Sequence, residues 1–391
     1  MLKKASRVDK IPRYAFADLD KKKQALKQKG VDLISLSIGD PDVPTPGWVV
    51  DELIAEARVP ANHQYPAYEG SSKFRQSVAD YYLRRFGVRV DPGTQVMALI
   101  GSKEGISHII WAFVEDNDVC LVPDPAYPVY NAQTLLAGGI PYKMPLRKEN
   151  GFLPKFEDIP TDVARQATCM FLNYPNNPTG AVADLRFFED AVRFGKEFGI
   201  LVCHDAAYVE MTYDGYRAPS ILQVEGALDV ACEFYSLSKP FNMTGWRIGA
   251  AVGCKQAIDA LGVIKTNTDS GQFTAVQHAG ARALAQDPEG FIGQMNDMYK
   301  RRRDALVDGL SQAGWKMEKP QGSFYVWAPV PGGAKSAEFV EELLEVTGVM
   351  VVPGPVYGEM GEGYVRMALT VDEQRIREAV ERIGAYLKKM R

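Results

Sequence analysis

One lysine stands where chemistry is easiest to derive. Lys239 lies in the run 234–249, which begins apolar, as a strand end would, and turns through Ser236 and Ser238 to the lysine. Gly245, an aromatic and Arg247 follow, and then a small apolar run over 248–252. Burial in such a turn disfavours the ammonium form, so the amine gives up its proton easily. A neutral amine beside hydroxyls and a guanidinium suits Schiff-base chemistry with a phosphorylated aldehyde. Lys239 would meet the aldehyde carbon, and Ser236, Ser238 and Arg247 the phosphate. Read blandly, the same run is a surface turn with an ordinary lysine, so other stretches have to decide.

Several do. Gly101-Ser102-Lys103 follows the apolar run 96–100 and opens a helix, where free amides and the helix dipole both favour an anion. Asp205 closes the apolar run 200–203, with Tyr208 three residues on. Pro178 and Gly180 force a turn at the end of 167–172, and Asn177 projects an amide from it. Tyr127 sits in a Pro-rich turn after 119–122. The Gly39-Asp-Pro turn exposes amides that could hold a carboxylate, or is a plain loop. The loop 63–70 carries Tyr65 among other aromatics and ends in glycine, a composition that fits either function or packing.

The elements that must position these residues are short apolar strands alternating with amphipathic helices, at 47–57, 71–86, 101–114 and 184–197. That alternation predicts a mainly parallel sheet with helices on both faces. In such sheets ligands bind beyond the carboxyl ends of the strands, where Gly101, Tyr127, Asn177, Asp205 and Ser236 all fall. After the helical stretch beyond Gly271 and a helix over 295–310 the chain changes character. Strands at 315–320, 322–330, 349–352 and 364–369, with helices at 335–346 and 372–389, predict a smaller α+β domain. Ile34 to Ile38 reads as a strand, and residues 1–30 as charged and partly helical, anchored by Tyr14 and Phe16. The boundaries expected are 1–47 for an arm and part of the small domain, 48–285 for the large domain, and 286–391 for the small C-terminal one.

With 391 residues, 46% hydrophobic and 24% charged, the chain has the balance of an ordinary globular protein. A formal net charge of −4 argues against nucleic acid or an anionic membrane as the main partner. The basic clusters at 21–23 and 300–303 have acids nearby and are expected on solvated helix faces. Five cysteines without a CxxC favour packed thiols in a reducing compartment over disulfides or a metal site. No signal-peptide pattern and no apolar run of about 18 residues is seen, so the expectation is a cytoplasmic protein.

In order along the whole chain, these residues resemble the fold-type I, class I and II aminotransferases that use pyridoxal 5'-phosphate. The set comprises Gly-Asp-Pro at 39–41, Tyr65-Pro66, Gly101-Ser102, Asp124-Pro-x-Tyr127, Asn177-Pro-Thr-Gly180, Asp205-x-x-Tyr208, Ser236-x-Ser-Lys239, Arg247 and Arg366. Within the family, Gly-Ser-Lys-Glu-Gly at 101–105 is similar to the LL-diaminopimelate aminotransferase branch of lysine biosynthesis. The resemblance implies an α/β fold with a seven-stranded sheet in a large cofactor domain, and a small domain built from both chain ends. It implies that Lys239 carries the cofactor and shuttles a proton, that Asp205 pairs with the pyridine nitrogen, and that Tyr208 and Asn177 bond the ring oxygen. Tyr127 would stack on the ring, while Ser102, Lys103, Ser236, Ser238 and Arg247 hold the phosphate. Tyr65 would reach the phosphate of a second subunit, which implies a homodimer with shared sites. Arg366 would fork onto the substrate α-carboxylate.

The expected substrates are an amino acid and a 2-oxo acid such as 2-oxoglutarate. Lys103, Tyr14 and Gly39 would line the distal pocket of a dicarboxylic amino acid, LL-2,6-diaminopimelate or else glutamate or aspartate. An acid in the loop after Tyr65 recognises the distal amine in that branch, and Glu69 does not align with it cleanly. A carbon–sulfur β-lyase shares the lysine and the fold and stays open as an alternative, as does a cofactor-binding regulator.

Overall fold

The computed structural model describes residues 2–11, 22–26, 28, 30–285, 287 and 290–390. Tyr14 and Phe16 lie outside them. Its strands are β1 (Ile34–Ser35), β2 (Val96–Leu99), β3 (Val119–Asp124), β4 (Ile140–Pro145), β5 (Ala167–Leu172), β6 (Leu201–Asp205), β7 (Ala231–Ser236), β8 (Gly249–Gly253), β9 (Tyr325–Pro329), β10 (Val349–Met350), β11 (Val352–Pro353) and β12 (Tyr364–Ala368).

Seven strands form one sheet in the order β2-β8-β7-β6-β5-β3-β4. The pairs from β7 to β4 are parallel, and β8 alone runs against its neighbours β7 and β2. All strands but β8 therefore end at the same edge, where β8 begins. Period-two alternation sends the side chains to two separate cores. Ala98, Leu121, Met170, Val202 and Tyr235 belong to one, while Leu99, Cys120, Phe171, Cys203 and Phe234 belong to the other. Both faces being covered explains why these runs are apolar throughout. The five cysteines are free and buried, packing as small hydrophobes.

The helices over this sheet start and stop on local signals. Ser71 accepts the Phe74 amide and Asp184 the Phe187 amide, each capping the helix that follows. Gly87 and Gly199 close those helices in the left-handed conformation. The sequence reading passed over the helices Val129–Ala137 and Lys255–Thr266.

A third core joins Ile34 and Leu36 to Phe324, Val326, Val365, Met367 and the helices Phe291–Gln312, Ser336–Thr347 and Glu373–Met390. It also takes in Tyr208, Met211 and Tyr213. Here β9, β11 and β12 form a small antiparallel sheet, and β1 pairs with β10.

Three local expectations are corrected. Residues 315–320 form no strand. Trp315 instead returns its amide to Leu310 O at the end of a helix and spends its indole N–H on Pro329 O. The strand expected over 34–38 is two residues long. Leu36 still donates to Met350 O and accepts from Ala368 N before the chain leaves the sheet toward Gly39. The basic cluster 300–303 is only half solvated, because Arg302 and Arg303 are buried while Lys300 is partly exposed and Arg301 fully so. Arg302 forks onto both oxygens of Asp42, and Arg303 pairs with Asp214 and Asp304. Those acids come from distant parts of the sequence or from the same helix, and they compensate the desolvated charge.

Candidate active site

A cavity of about 440 Å³ opens at the shared edge of the seven-stranded sheet, against the small antiparallel sheet. It is lined by Ser102 and Lys103 after β2, Tyr127 after β3, Asn177 after β5, and Asp205 and Tyr208 from β6 onward. Ser236, Ser238 and Lys239 enter from the end of β7 and Arg247 from just before β8. Gly39 comes from the segment after β1, and Arg366 from β12. Twelve residues singled out from the sequence thus meet in one place, because the parallel sheet delivers its carboxyl ends to one edge and Gly39 and Arg366 are brought there by β1 and β12. Tyr65 does not line the cavity of its own chain and is 87% exposed. Glu69 is likewise outside it, 3.7 Å from Arg75. Tyr14 falls outside the described residues.

Lys239 donates to Gly39 O at 3.1 Å, and burial brings its pKa down to about 8, against the pull of Asp40. Gly39 must be glycine for packing reasons, since a Cβ there would lie 1.9 Å from the Tyr325 hydroxyl. Asp205 is buried, and burial pushes its carboxyl above the usual range. The Tyr130 hydroxyl donates to Oδ2 at 2.8 Å and works the other way. Oδ1 is buried with no hydrogen-bond partner among the described residues. A buried acceptor left open in a cavity wall calls for a donor from a ligand, and a protonated ring nitrogen meets that need.

Opposite, Gly101 adopts φ +75°, and a Cβ on it would sit 2.3 Å from Arg247 Nη2. The guanidinium therefore lies directly against the start of the helix Ser102–Phe113. Arg247 itself holds φ 55°, a strained value for a non-glycine residue, with Nη1 on Thr244 O at 2.8 Å. Helix amides, a guanidinium set against them and the hydroxyl pair Ser236–Ser238 together have the chemistry to hold a phosphate.

On the third side Arg366 is held by Asn177 Oδ1 at 2.9 Å and Ser37 O at 2.7 Å, over the ring of Tyr325 at 4.0 Å. Fixed in this way, its guanidinium is suited to a carboxylate. Sequence reasoning missed Asp40, Asn173, Thr244, Tyr325 and Tyr357, which also line the cavity. It missed Tyr130 as well, although its place one helical turn after Tyr127 was a usable signal. Nothing local marks Tyr325 or Tyr357. His204, next to Asp205, points to the opposite face, fully buried with Nδ1 2.8 Å from Glu233.

The cavity fits pyridoxal phosphate on three independent counts: an amine whose pKa burial lowers to about 8, an open buried carboxylate oxygen, and donors suited to a phosphate. Comparison with known proteins agrees. Residues 31–383 match the family model for aminotransferase class I and II. The chain is 55% identical to the LL-diaminopimelate aminotransferase of Moorella thermoacetica, over 100% of both chains. It is 52% identical to that of Desulforudis audaxviator, over 98% of this chain and 97% of that one. Among solved structures it is similar to substrate-bound BacF from Bacillus subtilis, with a TM-score of 0.94 and 38% identity over 99% and 98% of the two chains.

Proposed function

The chain belongs to the class I and II aminotransferases, enzymes that depend on pyridoxal 5'-phosphate, and from that premise we propose that it moves the amino group of LL-2,6-diaminopimelate to a 2-oxo acid such as 2-oxoglutarate. The observation that carries the reading is the meeting of Lys239, Asp205 and Arg366 in one cavity. The choice of donor is supported by relatives of that name at 48–55% identity. Charges of opposite sign in the cavity wall, Lys103 and Asp40, also suit a distal end carrying both a carboxylate and an ammonium.

Bound pyridoxal phosphate supplies an electrophilic carbon and a ring that accepts electrons from the substrate Cα. Lys239 would hold the cofactor and, in its neutral form, take and return a proton at Nζ. Asp205 would hold the ring-nitrogen end with its open oxygen. Tyr127 would hold the ring face, and Asn177 and Tyr208 the oxygen-bearing edge. Ser102, Lys103 through its backbone, Ser236, Ser238 and Arg247 would bind the phosphate. Arg366 would orient the amino acid by its α-carboxylate, with Asn177 keeping the guanidinium in place.

The exposed Tyr65, outside its own cavity, supports a homodimer in which it reaches the partner's phosphate. Chains carrying Lys239→Ala mixed with chains carrying Tyr65→Phe should then recover activity in mixed dimers, at the site that joins Lys239 and Arg366 of one chain to Tyr65 of the other. The separate hydrophobic cores support a large domain over 48–285 and a small one from 1–47 and 286–391, and the free buried cysteines support a reducing, cytoplasmic setting.

A panel of amino donors with 2-oxoglutarate tests the substrate. LL-2,6-diaminopimelate should give the highest kcat/KM, and Lys103→Met should lower it roughly 10- to 150-fold while sparing alanine. A higher value for aspartate or alanine would overturn the choice of donor, and pyruvate release from cystathionine would point to lyase chemistry.

A further inference from the structure

Against the helix that opens the phosphate cradle lies a buried lysine that no step above uses. Lys265, at the end of the helix Lys255–Thr266, is 2% exposed. Its ammonium meets both oxygens of Asp269, at 2.9 and 3.0 Å, and lies 3.6 Å from Glu104 Oε1. His108 Nδ1 lies 2.6 Å from the same Glu104 oxygen. Glu104, His108 and Asp269 bring ligand-type atoms within 4.8 Å of one another, as around a metal ion, and the Lys265 ammonium supplies a positive charge there.

Each acid is tied to one side of the cradle. Glu104 stands in the first turn of the helix Ser102–Phe113, and its Oε2 accepts the Ile100 amide at 2.9 Å. Asp269 accepts the Gly271 amide at 2.7 Å, shaping the turn that carries Gln272. The Gln272 side-chain amide donates to the carbonyls of Trp246, at 2.7 Å, and Arg247. One ammonium therefore joins the helix that begins at Ser102 to the turn that holds Arg247.

The electrostatic consequence is larger than the mechanical one. Two carboxylates bonded to the backbone of the elements that form the cradle add negative charge beside a site for a phosphate dianion, and like charges in a protein repel. We propose that Lys265 is a positioning residue whose buried charge offsets part of the negative charge of Glu104 and Asp269 and so lets the Ser102–Arg247 cradle accept the cofactor's phosphate. The inference rests on the cofactor reading above. It predicts a defect confined to the phosphate.

The test compares apo-protein binding of pyridoxal 5'-phosphate with that of pyridoxal, which lacks the phosphate, and uses inorganic phosphate as competitor of pyridoxal phosphate. Lys265→Met should weaken pyridoxal phosphate roughly 10- to 100-fold and inorganic phosphate in parallel, leaving pyridoxal unchanged. Asp269→Asn, which keeps the lysine and the side chain's shape, should instead tighten pyridoxal phosphate several-fold, and adding it to Lys265→Met should restore most of the loss. A merely structural lysine would lower the affinity for both aldehydes together and would not be rescued by deleting a second charge. Equal losses for both aldehydes, or no tightening in Asp269→Asn, overturns the proposal. Arg247→Ala is the control: if it lowers the preference for the phosphorylated aldehyde and Lys265→Met does not, the Lys265 role alone falls. If neither lowers it, the cradle reading falls first and takes this one with it.

Discussion

Replacing Tyr130 by Phe removes one hydroxyl and little else. The ring is fully buried and stacked on Phe171, centroids 4.9 Å apart and 15° between planes, so phenylalanine keeps the packing. The bond lost is the 2.8 Å donation to Asp205 Oδ2. Burial already pushes the Asp205 carboxyl up, and Tyr130 is the foremost group opposing that push. A hydrogen bond to a charged group is worth about 1.5–3 kcal/mol. At 1.4 kcal/mol per decade the variant should therefore bind pyridoxal phosphate roughly 10- to 150-fold more weakly. The assay is titration of apo-protein with the cofactor, run as a double-mutant cycle with Asp205→Asn. In the Asn background the carboxylate is gone, and the Phe substitution should cost less than about 0.5 kcal/mol. A loss of the same size in both backgrounds would show that Tyr130 acts through packing. No loss in the wild-type background would refute the view that Asp205 depends on this hydroxyl.

Three further outcomes follow from the same geometry. Because the pKa of Lys239 is brought down to about 8, capture of an aldehyde by the apo-protein, trapped with borohydride, should rise about tenfold per pH unit below 8 and level off above it. A midpoint near that of an exposed lysine would contradict the burial argument. Gly101→Ala must displace the Arg247 guanidinium from 2.3 Å and strain a φ of +75°, so pyridoxal phosphate affinity should fall about tenfold or more, with pyridoxal nearly unaffected. Glu233 is fully buried and accepts from Tyr82, Ser220 and the Ile221 amide while pairing with His204. Glu233→Ala should cost about 3–5 kcal/mol in denaturant unfolding, and a cost below about 1 kcal/mol would mean that water satisfies the network.

What the sequence by itself determined is what depends on near neighbours. Apolar runs of strand length, each followed by Gly101, Tyr127, Asn177, Asp205 or Ser236, imply a parallel sheet, and a parallel sheet brings its carboxyl ends together wherever the intervening helices lie. Lys239 and Arg247 were legible for the same reason, since one turn carries both. Tertiary structure alone decided the partners that arrive from far away. Tyr325 and Tyr357 reach the cavity from the small antiparallel sheet and the loop after β11, and no local pattern announces them. Arg302 and Arg303 read as a solvated cluster until Asp42 and Asp214 are brought beside them, because desolvating an arginine is tolerable only with a partner in place. Lys265 is the sharpest case. Its spacing to Asp269 is that of any exposed helical ion pair. Only the packing of its helix against the one that begins at Ser102 buries the ammonium between Asp269 and Glu104.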